Sequence, residues 1–217
     1  MNEKPKILDR VEEAGYKVFE NGDYDLNIIG ERNPNGKPDQ FDDILHIAYK
    51  ENGLWQCESF QVTTDPGLYF LKNPSNVKGT AILAEGQYRG AYRIDYHRKK
   101  YKALCQRSGS VKVHRIPNYD DEKINTSNDL SKYKIDEGYF GINIHRAHSS
   151  RELLKDSIGK YSAGCTVFRR PQDLDRLLVL CGLQIKTHNW QTFTYTLLGE
   201  PTQRPSKKPK RTKKVKS

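Results

Sequence analysis

Apolar residues recur at two different spacings along the chain, and these spacings predict its elements. Near the start, Ile7, Leu8 and Val11 fall at helical intervals among charged residues, which predicts a short helix over residues 5–14. Compact or alternating apolar runs follow. They predict extended segments over residues 16–19, 25–30, 43–50, 54–64, 80–83, 90–94, 101–105, 139–145 and 193–198. Asn52-Gly53 joins two of these, and that pair tolerates the positive φ of a type I′ hairpin turn. Asn33 to Pro38, Asp65-Pro66-Gly67 and Asn73 to Asn76 read as loops, and so does the polar stretch 118–132. Residues 151–158 have room for one or two helical turns. The clearest helix starts at Pro171, with Leu174, Leu177, Leu178 and Cys181 on one face and Gly182 as its expected stop. The pattern therefore predicts a mainly β fold, a β-rich α+β class with a few short helices. It divides the chain into an N-terminal helix and strand extension (1–42), a main domain (43–200) and a tail (201–217).

Composition sharpens this picture. The apolar share is 35% and the formal net charge is +10, but two Trp, thirteen Tyr and seven Phe argue for a folded body. The charge is unevenly placed. Residues 204–217 hold eight basic and no acidic residues, leaving 29 basic against 27 acidic in the rest. That tail is expected to be disordered and to suit an anionic partner, either a cell wall or nucleic acid. It has no aromatic residue on which bases would stack. No apolar run approaches the ~20 residues of a membrane helix, so no membrane span is expected. The first residues lack the apolar segment of a secretory signal, which makes cytoplasmic synthesis the expectation.

The four cysteines, Cys57, Cys105, Cys165 and Cys181, form no Cys-x-x-Cys pair, and three of them are expected in the core. Cys165 differs because of its neighbours. Ser162-Ala163-Gly164 is a run of small residues leading into it, which lets backbone N–H groups approach a bound carbonyl closely. In the segment Gly141 to Ala147, strand alternation points Ile142 and Ile144 to the core and puts Asn143 and His145 together on the other face. A thiol with an ordinary pKa of about 8.5 is mostly protonated at neutral pH. An imidazole can take its proton and return it to a leaving amine, so Cys165 and His145 are the parts of an acyl-transfer site. Asn143 either polarises a substrate carbonyl, orients His145, or is an exposed strand residue. Tyr161 and Tyr139 line a groove or pack ordinarily. His145, His148 and Cys165 would be three ligands of a zinc site, but no fourth is evident and no metal or cofactor is expected.

A strand ending in His, a spacer, and Ser162-Ala163-Gly164-Cys165 together resemble the L,D-transpeptidase (YkuD-type) family of peptidoglycan enzymes. The upstream segments Phe60 to Gly67 and Ala84 to Ile94 are similar to that family as well. The resemblance implies a mixed sheet or sandwich, with Cys165 as nucleophile and His145 as base. It also implies that the backbone carbonyl of Arg146 orients the ring, with Ser162 and Gly164 as signature residues. The family's His before Gly-Cys is Ala163 here, and its polar residue two places after the Cys is Val167. Arg169 and Arg170 are the nearby charges placed to substitute, and Asn143 and Tyr161 are, with Arg169, the candidate substrate contacts. The implied substrate is a peptidoglycan stem peptide, cleaved or transferred through a thioacyl intermediate. A small basic chain without a signal fits a lytic enzyme of the phage endolysin kind, which reaches the wall after release. The alternatives are an inactive wall-binding module and a nucleic-acid-binding protein acting through its tail.

Overall fold

The computed structural model describes residues 2–117 and 130–199, so the basic tail lies outside the described residues. The described residues form eleven strands and three α-helices: α1 (Lys6–Glu13), β1 (Asn27–Glu31), β2 (Asp43–Glu51), β3 (Leu54–Thr63), α2 (Leu68–Lys72), β4 (Thr80–Leu83), β5 (Gly86–His97), β6 (Tyr101–Gln106), β7 (Val111–Ile116), β8 (Ile135–Gly138), β9 (Ile144–Arg146), β10 (Thr166–Phe168), α3 (Pro171–His188) and β11 (Phe193–Leu198). The expected mainly β class holds. Eight strands close a mixed barrel in the order β1-β11-β5-β6-β9-β10-β3-β2, and β4-β7-β8 form a second sheet. Two barrel pairings are parallel, β1 with β11 and β9 with β10.

Side-chain alternation explains how the layers meet. Ile28 of β1 points into the main core with Leu45, Ile47, Tyr92, Leu104, Ile144, Phe168 and Tyr195, while its neighbour Ile29 points outward. There Ile29, Ala48 and Leu198 receive Ile7, Leu8 and Val11 of α1. The N-terminal 42 residues thus supply both a barrel strand and a helix packed outside it. Leu174, Leu177, Leu180 and Cys181 of α3 join the main core, as do Ala81, Leu83, Val111 and Val113 of the second sheet. The β2–β3 turn has the expected form, with Asn52 at φ 51° and Gly53 at φ 72°.

Several expectations are corrected. Residues 16–19 form no strand, because amide side chains take the place of a ladder. Gln87 Oε1 accepts from Lys17 N while Gln87 Nε2 donates to Lys17 O, and Asn27 makes the same double contact with Phe19. The helix begun at Pro171 passes through Gly182 to His188, because Leu183 and Ile185 continue its apolar face. It ends at Asn189, whose φ of 58° is the left-handed conformation of a helix C-cap. Residues 151–158 contain no helix, and the strand expected over 139–145 is reduced to Ile144–Arg146. Of the loop expected over 118–132, residues 118–129 lie outside the described residues and Leu130–Lys132 form a single 3-10 turn. Cys57 is exposed on the outer face of β3, whereas Cys105 and Cys181 are buried. Strands β7 and β8 and helix α2 went unforeseen.

Two glycines test the packing in opposite directions. A Cβ on Gly30 would collide with the Tyr195 hydroxyl, whereas nothing lies near one on Gly182. Gly30→Ala is expected to destabilise the protein by about 1–3 kcal/mol. Gly182→Ala is expected to stabilise it by about 0.5–1 kcal/mol through helix propensity. Urea unfolding midpoints of the two variants should move apart, and equal midpoints would contradict this packing.

Candidate active site

Parallel pairing of β9 with β10 sets Ile144 opposite Thr166 and His145 opposite Val167. Ile142 and Ile144 lie in the barrel core, leaving Asn143 and His145 on the other face. Just before the ladder, the Thr166 N–H donates to the Asn143 carbonyl at 3.0 Å, which holds Cys165 beside Asn143. The Asn143 N–H donates to Cys165 Sγ at 3.3 Å, and the thiol points to the Gly141 carbonyl at 3.5 Å. The turn into the cysteine is fixed by Ser162. Its buried hydroxyl donates to the Cys165 carbonyl at 3.0 Å and accepts the Gly164 N–H at 3.1 Å. Gly164 has φ +121°, and a Cβ there would run into the Ala81 carbonyl, so both backbone shape and space require glycine.

His145 is held at its edge and on its face. Its Nδ1 donates to the Arg146 carbonyl at 2.9 Å, and the Tyr101 hydroxyl reaches the same carbonyl at 3.2 Å. An Nδ1–H committed in this way leaves Nε2 as the basic nitrogen. The Arg146 guanidinium lies over the Tyr101 ring, 4.2 Å from its centroid. On its face, His145 stacks on His97, with centroids 4.1 Å apart and planes inclined by 24°. His97 ends β5 at the tip of the β5–β6 hairpin, where Arg98 and Lys99 take φ values of 48° and 57°. Asn143 Nδ2 meets His97 Nδ1 at 3.2 Å, and Asn143 Oδ1 accepts the Gln106 N–H at 2.9 Å.

Gln106 organises the loop carrying the Gly141 carbonyl. Its buried Oε1 accepts the N–H groups of Phe140, Gly141 and Ile142, and its Nε2 donates to the carbonyls of Gly109 and Gly138. This accounts for the missing strand over 139–143. The backbone there bonds to a side chain instead of a neighbouring strand.

The electrostatics favour neutral groups. Burial pushes the Cys165 thiol up to about 11, against the opposing pull of the Asn143 N–H and the Arg98 charge. Burial, with the neighbouring His97, lowers His145 to about 3, and burial lowers His97 to about 4. At pH 7 the site therefore holds a thiol and free imidazoles, not a thiolate–imidazolium pair. Among the described residues no hydrogen bond joins the Cys165 thiol to His145.

The fold thus gathers His145, the Arg146 carbonyl, Asn143, Ser162, Gly164 and Cys165. The Asn143 side chain is taken up by Gln106 and His97. Arg169 is committed elsewhere, to the Lys155 carbonyl, Gln61 and Asp156. Tyr161 is exposed in the segment before Ser162, and Tyr139 is exposed as well. Both ring nitrogens of His148 are buried without a partner, and among the described residues no cluster of three His, Cys, Asp or Glu is placed to hold a metal ion. The sequence reading missed His97, Arg98, Tyr101 and Gln106. Their one signal was the His97 to Tyr101 stretch, which reads as a hairpin tip rich in charge. Compared with known proteins, the chain matches no family model, no curated protein and no solved structure.

The two lowered histidines of the site make stability pH-dependent in a defined direction, and His114, lowered by burial, adds in the same sense. Above about pH 7.5 both are neutral whether the chain is folded or unfolded, so neither contributes a pH dependence. As pH falls toward about 4, the unfolded chain takes up protons that the folded site refuses, and stability drops. The expected loss at pH 5.5 is about 1 kcal/mol per histidine. Urea midpoints at pH 7.5 and 5.5 measure it, and His97→Phe should remove part of the difference. Equal midpoints in the wild type would contradict neutral burial.

Proposed function

We propose that the protein is a cysteine-dependent acyl-transfer enzyme acting on peptidoglycan stem peptides, with hydrolysis as its outcome and transpeptidation as the related reaction. The observation that carries this reading is the His145 tautomer. With Nδ1–H bound to the Arg146 carbonyl, Nε2 is left as the base, on a strand paired with the one that directly follows Cys165. The substrate class comes from the L,D-transpeptidase resemblance of the His145 and Ser162-to-Cys165 segments. A lytic role of the endolysin kind rests on the same resemblance together with the basic tail.

In the proposed reaction Sγ turns from the Gly141 carbonyl toward the substrate and gives its proton to His145 Nε2. The S–C bond forms, and the resulting oxyanion is met by the Cys165 backbone N–H, the Gly164 N–H being held by the Ser162 hydroxyl. The C–N bond then breaks as His145 returns the proton to the leaving amine. Water, deprotonated by the same nitrogen, attacks the thioester, releases the acid and restores the thiol. The Asn143 N–H supports developing charge on sulfur.

A second reading, a wall-binding module without turnover, is favoured by the resting thiol, which is raised in pKa and bonded to Gly141 instead of His145. Full-length protein on isolated bacterial walls separates the two. Release of soluble muropeptides is expected, falling by about 10²–10⁴-fold in His145→Ala and further in Cys165→Ala. Sedimentation with walls without release would support the binding module. Release that survives Cys165→Ala would refute the thiol mechanism.

A further inference from the structure

His97 lies outside the Cys165–His145 segment, yet it touches both Asn143 and His145. The Gln106 backbone N–H is a donor that cannot reverse. It fixes Asn143 Oδ1 as the acceptor and so directs the Asn143 NH₂ at His97 Nδ1. A protonated His97 would set one N–H against another at that contact. His97 is thereby held neutral, with its own proton on Nε2, and in this form its ring covers one face of His145 at 4.1 Å. The other restraints on His145 meet its Nδ1 edge, the Arg146 carbonyl at 2.9 Å and the Tyr101 hydroxyl at 3.4 Å. Contacts at that one edge leave the ring free to hinge about it, and a face contact removes the motion.

From this geometry we infer that His97 is a positioning residue. Kept neutral by Asn143, it clamps the face of His145 and holds Nε2 aimed and unprotonated for work at Cys165. The inference rests on the acyl-transfer reading for its purpose but not for its test. The groups facing the pair from the surrounding elements are Arg98 on the hairpin turn, Tyr101 and Arg107 on and after β6, Arg146 on β9 and Cys165 before β10. Arg98 opposes protonation of either imidazole, and Arg107, paired with Asp95 at 2.7 Å, opposes that of His97. The same arrangement sets a lower pH limit. Once His97 gains a proton, the Asn143 contact is lost and a cation lies against the face of His145, so a second proton there would set two like charges across the stack.

Histidine ring signals of the full chain, followed by NMR between pH 8 and 4.5 and assigned through His145→Gln, test this directly. In the wild type the His145 signal should stay flat down to pH 5. In His97→Ala it should acquire an inflection displaced upward by at least one pH unit, whereas His97→Phe, which keeps the aromatic face, should stay flat. Asn143→Asp preserves volume but replaces the NH₂ donor by a carboxylate. It should draw a proton onto His97 and move the His97 inflection above pH 6.5. On walls, His97→Ala should lower kcat by about tenfold to a hundredfold with KM little changed. Superimposable His145 curves in wild type and His97→Ala, or a His97 inflection unmoved by Asn143→Asp, would overturn the assignment. The titrations need no substrate. A wild type that leaves walls intact therefore counts against the acyl-transfer reading, while His145 titration still decides the role of His97.

Discussion

The geometry at the candidate site hangs on one buried amide, the side chain of Gln106. Three consecutive N–H groups, at Phe140, Gly141 and Ile142, converge on its carbonyl oxygen. Such convergence is possible only if the backbone leaves the β conformation there, because strand N–H groups point alternately to opposite sides. The chain therefore reaches β9 by a bend rather than along a ladder. The bend sets the Gly141 carbonyl under Cys165 Sγ and presents the Asn143 N–H to the same sulfur. The backbone N–H of Gln106 then orients the Asn143 side chain. Burying an amide with all its valences met raises no desolvation debt, but loss of its oxygen would strand three donors away from water.

From this anchor the site is built out of neutral parts. Burial keeps the thiol protonated and the imidazoles free, and the Arg98 charge at the hairpin tip lowers the pKa of His97, His145 and Cys165 alike. Such a resting state differs from a preformed thiolate–imidazolium pair. Proton transfer has to accompany attack on the substrate, so the aim of Nε2 matters more than the acidity of the thiol. The restraints on His145, its edge on Arg146 and its face on His97, serve that aim. The barrel supplies the rigidity, since β9 and β10 are neighbouring strands whose other faces, Ile144 and Phe168, are locked in the core.

The legible parts of the sequence were local ones. The Asn52-Gly53 turn, the alternation of Ile142 to His145 and the small residues before Cys165 each express their physics within a few positions, and the structure follows them. Gly182 misled because a single helix-weakening residue was outweighed by Leu183 and Ile185 beyond it. Tyr16 to Phe19 read as a strand because its pattern cannot reveal that Gln87 and Asn27 side chains would take the ladder's place. His97, Tyr101 and Gln106 were hidden for a related reason. Their roles exist only once the β5–β6 hairpin is laid against β9, a pairing made through Leu104 and Ile144. Fold class thus comes from periodicity, whereas the support around the nucleophile comes from long-range contacts that periodicity does not encode.

The claim that His145 serves as base to Cys165 is tested most directly by the rate at which iodoacetamide alkylates Cys165, read by peptide mass spectrometry across pH 6 to 10. With the thiol at about 11 and His145 at about 3 in the resting site, thiolate is scarce at neutral pH and any help from the imidazole comes as proton transfer during attack. The account predicts that His145→Ala slows alkylation of Cys165 by at least about tenfold at pH 7, and that the difference closes as pH approaches 10. Equal rates in the two proteins at pH 7 would contradict it.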